Sequence, residues 1–560
     1  MNAPSPLAEA RRALIDRRAE LIAAAIEAVS ARAAWSPFQD SPSTRIHGPD
    51  KPAIGKAAFE AQLGRPFVLD QPGVINHVGA EVSPFTGDAL GIVYPRCDPE
   101  ALIDAAHVAW PAWCAAEPEL RLALCAEMAM RLYDANFEMA HAVMHVTGQS
   151  YTQAFSGSGP NALDRGLEAV AYAAKAMRDV PRDARYERRF AGEAVRLDKN
   201  YALVPRGIGL VVCCASFPTW NAYPALFASL ATGNPVILKP HPLAVLPMAI
   251  AARECRRVLS EFGFDPDLVT LAVDTLAEPA AQRLVDHPAV QIVDFTGSPR
   301  YGGHLERTVT GKLLFTETAG VNTVVVHSVA DLDAAARAVA RAASLFSAQM
   351  CTSPQVVYVA PPLAESFAAA LVAQIDAIVA DPTQAAGIMG AIQGEVSLRA
   401  VGDVRAAVEH RPGVRVLREA APYAHPQFPR ARTLTPLVLA VDDSATDLYA
   451  EEHFGPVLFV VTMDADAAVA EATQLARTQG SISSYLYSTD EDFIDRSTPL
   501  YEQAGANLTI NLTGAMWINF AAAYSDYHVT GLNPAGNACL ADLAFVASRF
   551  RIVQRRRPAA

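Results

Sequence analysis

Cysteine is scarce in this chain: eight residues in 560, at Cys97, Cys114, Cys125, Cys213, Cys214, Cys255, Cys351 and Cys539, with no C-x-x-C pair. That spacing excludes a disulfide scaffold and a thiolate zinc cluster, and it fits a reducing cytoplasm. The histidines form no H-E-x-x-H or comparable ligand set, so metal-dependent hydrolysis finds no support. Basic charge is also short, with 46 Lys and Arg against 59 Asp and Glu, a formal net charge of −13. An acidic chain has no overall attraction for nucleic acid or for anionic membranes, so neither is expected as a partner. The first apolar run is broken by Glu9, Arg11, Arg12, Asp16, Arg17 and Arg18, which reads as an amphipathic helix and not as a signal peptide. Charge is absent altogether from Gly207 to Leu238, but Pro218, Pro224 and Pro235 interrupt that stretch. Three prolines among unpaired polar groups would be costly in lipid, so a buried strand, a loop and a buried helix are expected there.

What the chain does have is apolar material, 51% of residues, enough at this length for two or three domains. Residues 1–75 read as a partly helical N-terminal extension, with a helix near 7–35 whose apolar positions Leu14, Ile15, Leu21, Ile22, Ile26 and Val29 keep a helical period. Asp98-Pro99 starts another helix. The segment 185–205 and the run 546–557 are charged and partly alternating, which suggests exposed strands that pair with other sheets. From Ile208 strands and helices alternate, implying a parallel sheet of the dinucleotide-binding kind in an α/β protein. The pattern restarts after Glu317. The expected organisation is a cofactor domain over 76–184 and 206–318, a second α/β domain over 319–545, and the two charged segments between and after them. No internal repeat is visible.

Three places carry candidate chemistry. Thr296-Gly297-Ser298, with Gly302, follows an apolar strand and opens a helix, where glycine allows close backbone approach and the helix N-terminus favours an anion. A turn of that kind is also needed for steric reasons alone. Glu317 lies in the otherwise apolar Leu314-Phe-Thr-Glu-Thr-Ala-Gly320, where desolvation would raise its pKa toward that of a general base; an ordinary ion pair is the plainer alternative. Cys351 stands at a helix–strand junction. A lone cysteine is ordinarily a small buried hydrophobe, and an element boundary favours a reactive thiol only slightly.

Taken in order, these residues resemble the aldehyde dehydrogenase superfamily from about residue 80 onward. The matches are Leu238-Lys239-Pro240 after Gly233-Asn234, Phe295-Thr-Gly-Ser298 with Gly302, Glu317 before Gly320, Cys351, and Glu451-Glu-His-Phe-Gly-Pro456. Trp35-Ser-Pro-Phe38 and Ser216-Phe-Pro-Thr-Trp-Asn-Ala-Tyr-Pro224 look like the long aldehyde dehydrogenases of phenylacetic acid degradation, the PaaN type. The resemblance implies a Rossmann-type cofactor domain, an α/β catalytic domain and a β-hairpin arm that pairs across subunits of a homodimer or homotetramer. It implies that Cys351 adds to an aldehyde carbonyl and that hydride passes to NADP+ or NAD+. The thioester left behind is hydrolysed by water that Glu317 deprotonates. Lys239 would bind the adenosine ribose, Thr296, Gly297 and Ser298 would lie near the pyrophosphate, and Glu452 and Phe454 would hold the nicotinamide ribose and ring.

The chain departs from the family in three places. Ser216 stands where most members have the asparagine that donates to the oxyanion, alongside the nucleophile's backbone N–H. Losing one such donor costs about 10²–10³ in rate elsewhere, although a serine hydroxyl can itself donate; Asn221 is the weaker stand-in. Pro242 occupies the place of the glutamate that selects NAD. With no carboxylate there, and with Lys239 and a protonated His241 nearby, NADP+ is the expected preference. Ala348 replaces a glycine before the nucleophile, and Gly531-Leu-Asn-Pro-Ala-Gly536 matches only loosely. The expected reaction is oxidation of an aldehyde to the acid in aromatic-ring catabolism, including a CoA-linked semialdehyde as substrate. The alternatives are a CoA-acylating dehydrogenase, against which Glu317 argues, and a catalytically weak member with a binding role.

Overall fold

The structure is a computed structural model that describes residues 5–318, 320–528 and 542–559; Gly531 to Gly536 and Cys539 lie outside the described residues. Its first sheet has five parallel strands in the spatial order Val269–Leu271, Val236–Lys239, Ile208–Val212, Val290–Gly297, Leu313–Thr318. Apolar runs such as Ile208-Gly-Leu-Val-Val212 are buried along their whole length, as expected of a sheet covered by helices on both faces. The strand order reverses between Ile208–Val212 and Val290–Gly297. In open α/β sheets the carboxyl ends of strands at such a reversal leave a crevice for ligands. The expected parallel sheet is therefore present, and the uncharged 207–238 stretch forms the strand Ile208–Val212, the buried helix Pro218–Ala231 and the strand Val236–Lys239. The helix begins earlier than its apolar run suggests, because Pro218 suits the first helical turn.

A second sheet holds seven strands in the order Val414–Arg418, Leu437–Val441, Val457–Thr462, Pro354–Val359, Asn322–Val326, Ser484–Tyr487, Leu508–Ile510. All neighbours are parallel except the first pair. The helix Leu332–Ser344 covers one face through Ala335, Ala336, Val339 and Ala343. Pro361–Ala380 is long and apolar enough to cross a bilayer by composition. Here it packs Phe367, Leu371 and Ile375 into the same apolar layer. The charged segments Asp183–Phe190, Glu193–Pro205 and Phe550–Pro558 pair with one another as a three-stranded antiparallel sheet. Within this chain they join neither of the larger sheets, and most of their residues are exposed or half-buried.

The N-terminal helix Pro6–Ala31 is integrated with the cofactor-domain core. Leu14, Ile22, Ala25 and Val29 are buried in the cluster that holds Leu124, Met128 and Val170. Arg11 donates to the Phe262 carbonyl at 2.8 and 3.0 Å, and Arg18 meets the buried Glu127 at 2.6 Å.

Candidate active site

Lys239 ends the second strand of the five-stranded sheet, and Thr296 and Gly297 end the fourth. Thr296 and Gly297 thus sit at the strand reversal, and Lys239 lies one strand away from it. Lys239 is 6% exposed, and its Nζ lies 2.8 Å from Oδ1 of Asp274, just beyond the end of the strand Val269–Leu271. This carboxylate was not singled out by sequence, because it is separated from the lysine by 35 positions and belongs to no motif. His241 is held neutral, its pKa lowered to about 4 by burial and by the Lys239 charge. The expected protonated His241 is therefore corrected: an imidazole enclosed beside an ammonium does not take up a second charge. Ser298 caps the helix Pro299–Thr308, its hydroxyl accepting from the Tyr301 N–H at 3.4 Å.

Cys351 follows a backbone of left-handed conformation at three consecutive non-glycine residues, Phe346 (φ 49°), Ser347 (φ 48°) and Ala348 (φ 52°). Each such residue costs about 1–2 kcal/mol, and the surroundings hold them there. The Ser347 hydroxyl donates to the carbonyls of Met389 or Leu434, both at 3.2 Å. The Gln349 amide reaches the Phe346 and Ala391 carbonyls at 3.1 Å. Beyond the turn, the buried Asn322 donates to the Cys351 carbonyl at 2.8 Å and to that of Ser353 at 3.0 Å. Its own oxygen accepts from Ile482 and Ser483 N–H at 3.0 Å. Asn322 thus fixes the nucleophile's backbone from the neighbouring strand.

Glu317 is 1% exposed on the edge strand, opposite Thr296. Its Oε1 accepts from the Asn221 amide at 3.4 Å and lies 2.9 Å from Nε2 of His528. One ligand atom each from Glu317, Cys351 and His528 falls within 4.8 Å of the others. Burial, then the Glu317 charge, pushes the Cys351 thiol well above its usual range. Ser216 lines the same space, and its carbonyl accepts from Gln149 at 2.8 Å. Across from Cys351, Gln355 holds the 451–453 turn by donating to the Glu451 carbonyl at 2.6 Å and accepting from His453 N–H at 2.7 Å. Burial raises the Glu452 carboxyl to about 8.

One cavity of about 520 Å³ is lined by Ser216, Lys239, Thr296, Gly297, Ser298, Glu317, Cys351, Glu452 and Phe454 together. All nine residues singled out by sequence meet in it. His528, Asp274, Asn322 and Gln355 were missed. His528 lay in a stretch with no motif, and the amides carry no signal until their partners are known.

The donor set fits a dinucleotide. The volume lies in the range of cofactor clefts, a lysine and a helix N-terminus suit phosphate and ribose oxygens, and Glu452 and Phe454 offer a hydrogen-bonding group and an aromatic face beside the thiol. Such a group, when bound, supplies the acceptor for a hydride; the chain itself supplies the thiol nucleophile and the carboxylate.

Comparison with known proteins agrees. A profile of the aldehyde dehydrogenase family matches residues 77–518. The solved structure of an NAD-dependent aldehyde dehydrogenase from Burkholderia multivorans is 41% identical, with a TM-score of 0.93 over 98% of this chain and 99% of that one. Vanillin dehydrogenase of Pseudomonas fluorescens is 27% identical over 423 residues, 73% of this chain and 81% of the relative. The 3,6-anhydro-alpha-L-galactose dehydrogenase of Streptomyces coelicolor is 30% identical over 311 residues, 54% of this chain and about three fifths (61%) of that enzyme's length. With a family match over most of its length, the same fold and a thiol and carboxylate converging in one cleft, the chain belongs to the aldehyde dehydrogenase family and is an oxidoreductase.

Proposed function

We propose that the protein oxidises an aldehyde to its carboxylic acid with a nicotinamide dinucleotide, through Cys351. The observation that carries this reading is the approach of the Cys351 thiol and the Glu317 carboxylate to within 4.8 Å, in the cavity that also contains Lys239. The thiolate adds to the carbonyl carbon. After oxidation the acyl group is a thioester on Sγ. Glu317 takes a proton from the water that attacks it, and the acid leaves as the thiol is restored. Ser216 and the Cys351 backbone N–H are the donors assigned to the oxyanion. Cys351→Ala abolishes NAD(P)H formation with every member of an aldehyde panel; retained turnover overturns the mechanism. Acyl-CoA as product, in place of free acid, would make it a CoA-acylating enzyme.

For the cofactor, the pairing of Lys239 with Asp274 and the neutral His241 support NAD+ over NADP+, reversing the preference expected from Pro242, Lys239 and a protonated His241. A 2′-phosphate would meet a lysine whose charge is already matched by a buried carboxylate. An aromatic aldehyde, in phenylacetate or related ring catabolism, is the proposed substrate class. Phe217 and Phe454 in the cleft and the similarity to vanillin dehydrogenase support it. The charged three-stranded sheet, which exposes Phe190, Ile552 and Val553, supports assembly as a homodimer or homotetramer, and the free cysteines support a cytoplasmic setting.

A further inference from the structure

We propose that His528 is a positioning residue for the hydrolytic half of the reaction: its Nε2–H holds the Glu317 carboxylate in the orientation from which it takes a proton from water. This rests on Glu317 being the base that hydrolyses the thioester on Cys351. An ionised carboxylate offers only acceptors, so the 2.9 Å contact between His528 Nε2 and Glu317 Oε1 puts a ring proton on Nε2 and makes the imidazole the donor. Both side chains are 1% exposed, so solvent competes little for this bond.

Glu317 needs such a partner because of where it stands. Leu313–Thr318 is the edge strand of the five-stranded sheet, paired on one side only. The sheet fixes the backbone there, while several rotatable bonds still separate it from the carboxylate. Two donors converge on Oε1: His528 at 2.9 Å and the Asn221 amide at 3.4 Å. Asn221 is itself oriented, because its Oδ1 accepts from the Cys214 thiol at 3.6 Å. The two donors come from distant parts of the chain, the helix Pro218–Ala231 and the segment that follows the strand Leu508–Ile510. The shorter bond carries more of the constraint. One ligand atom each of Glu317, Cys351 and His528 lies within 4.8 Å of the others, so the carboxylate is held beside the sulfur that carries the acyl group. A misplacement of about 1 Å in such an arrangement costs on the order of a hundredfold in rate.

The imidazole is in turn held in place from several directions. Trp220 packs edge-on against it with ring centres 4.8 Å apart. The segment leading to His528 is tied down by the buried Arg165, which donates to the carbonyls of Ala521 at 3.0 Å and Asp526 at 3.2 Å. Arg32, the residue closing the N-terminal helix, donates to the Ser525 carbonyl at 3.2 Å and stacks its guanidinium 3.8 Å from the Tyr527 ring centre. Trp35 meets Tyr524 at 5.0 Å. The N-terminal segment, to which sequence assigned no chemistry, thus braces the stretch that delivers His528.

The test uses 4-nitrophenyl acetate, an active ester that acetylates a thiol without a cofactor. The sulfur displaces 4-nitrophenolate, and the acetyl group then leaves Cys351 with water as acetate or with hydroxylamine as acetohydroxamate. Hydroxylamine attacks as a neutral amine, without a general base. Nitrophenolate absorbance gives the rate of acetylation, and loss of the acetyl mass from the Cys351 peptide gives the rate of release. In His528→Leu, acetylation stays within about threefold of wild type, hydrolysis slows by about tenfold or more, and release by hydroxylamine stays within about twofold. His528→Gln, whose amide N–H stands near the place of Nε2, hydrolyses within about threefold of wild type. Three results each overturn the positioning role: unchanged hydrolysis in His528→Leu, a fall in hydroxylamine release as large as the fall in hydrolysis, or a glutamine variant as slow as the leucine one. If His528→Leu does not acetylate, His528→Asn takes its place. Its shorter amide stops short of Oε1, so slow hydrolysis supports the role and hydrolysis as fast as in His528→Gln overturns it. Glu317→Gln separates this proposal from the reading beneath it. Hydrolysis at the wild-type rate in that variant removes Glu317 as the base. Slow hydrolysis there, with normal hydrolysis in His528→Leu, removes only the role of His528.

Discussion

Removing the charge of Asp274 turns the cofactor argument into a number. Lys239 Nζ and Asp274 Oδ1 are 2.8 Å apart in a site where the lysine is 6% and the aspartate 3% exposed, so solvent screens the pair little. The contact is an ion pair in which Oδ1 makes no hydrogen bond; close charge pairs of this kind are worth about 1.5–3 kcal/mol at the lower end of their range. A 2′-phosphate can use the lysine only by competing with the carboxylate and by approaching it. Asp274→Asn removes that competition and keeps an oxygen for the Ala280 N–H, which Asp274 Oδ2 now accepts at 2.8 Å. At about 1.4 kcal/mol per decade, the ratio of kcat/KM for NADP+ to that for NAD+ rises by about ten- to a hundredfold. The assay is initial-rate NAD(P)H absorbance with both cofactors at a fixed aldehyde concentration, with Kd values from protein fluorescence to separate binding from turnover. The expected wild-type ratio favours NAD+. If the ratio stays within about twofold of wild type in Asp274→Asn while Lys239→Ala changes it strongly, the lysine acts independently of its partner and the reasoning is wrong.

Asn322→Ala leaves the Cys351 and Ser353 carbonyls and two N–H groups without their amide, in a position 2% exposed. A loss of about 2–4 kcal/mol in chemical denaturation is expected, with a lower kcat and little change in cofactor Kd. Ala348→Val places a β-branched side chain at φ 52° and lowers stability by about 2 kcal/mol or more, measured as a drop in Tm. Glu452 carries the pH dependence. Because burial raises its carboxyl from 4.5 to about 8, the folded protein holds across that interval a proton the unfolded chain has released. Its contribution is fully present below pH 4.5 and is lost as pH rises through 8. Glu452→Gln therefore has the wild-type Tm at pH 4.5 and a higher one at pH 9; equal Tm values at both ends refute the assignment.

The parallel sheet was legible because its strands are continuous apolar runs separated by helical patterns, and buried strands such as Ile208–Val212 admit no other reading at that length. The helix of the uncharged stretch begins at Pro218, six residues before its apolar run at Pro224. The nine cleft residues were legible only through the family resemblance: a lone cysteine, a glutamate in an apolar run and a glycine turn mean little apart, and their order along the chain is what joined them. What stayed hidden is what depends on partners far away in sequence. Asp274 and Lys239 are ordinary residues until the sheet sets their strands side by side. The charge of His241 followed from that enclosure and could not be read from its neighbours in the chain.

Ala348 and His528 together show how the two kinds of information meet. The absence of a glycine before the nucleophile, at Ala348, was visible in the sequence. The structure places three side-chain-bearing residues, Phe346, Ser347 and Ala348, in the left-handed region and holds them with hydrogen bonds from Ser347 and Gln349. Such a turn stores energy that packing must offset, and it is found where a fixed geometry matters. A glycine would allow the same conformation with less strain but also many others. The turn here is thus rigid by over-determination, which keeps Sγ within reach of both the Glu317 oxygen and the His528 nitrogen.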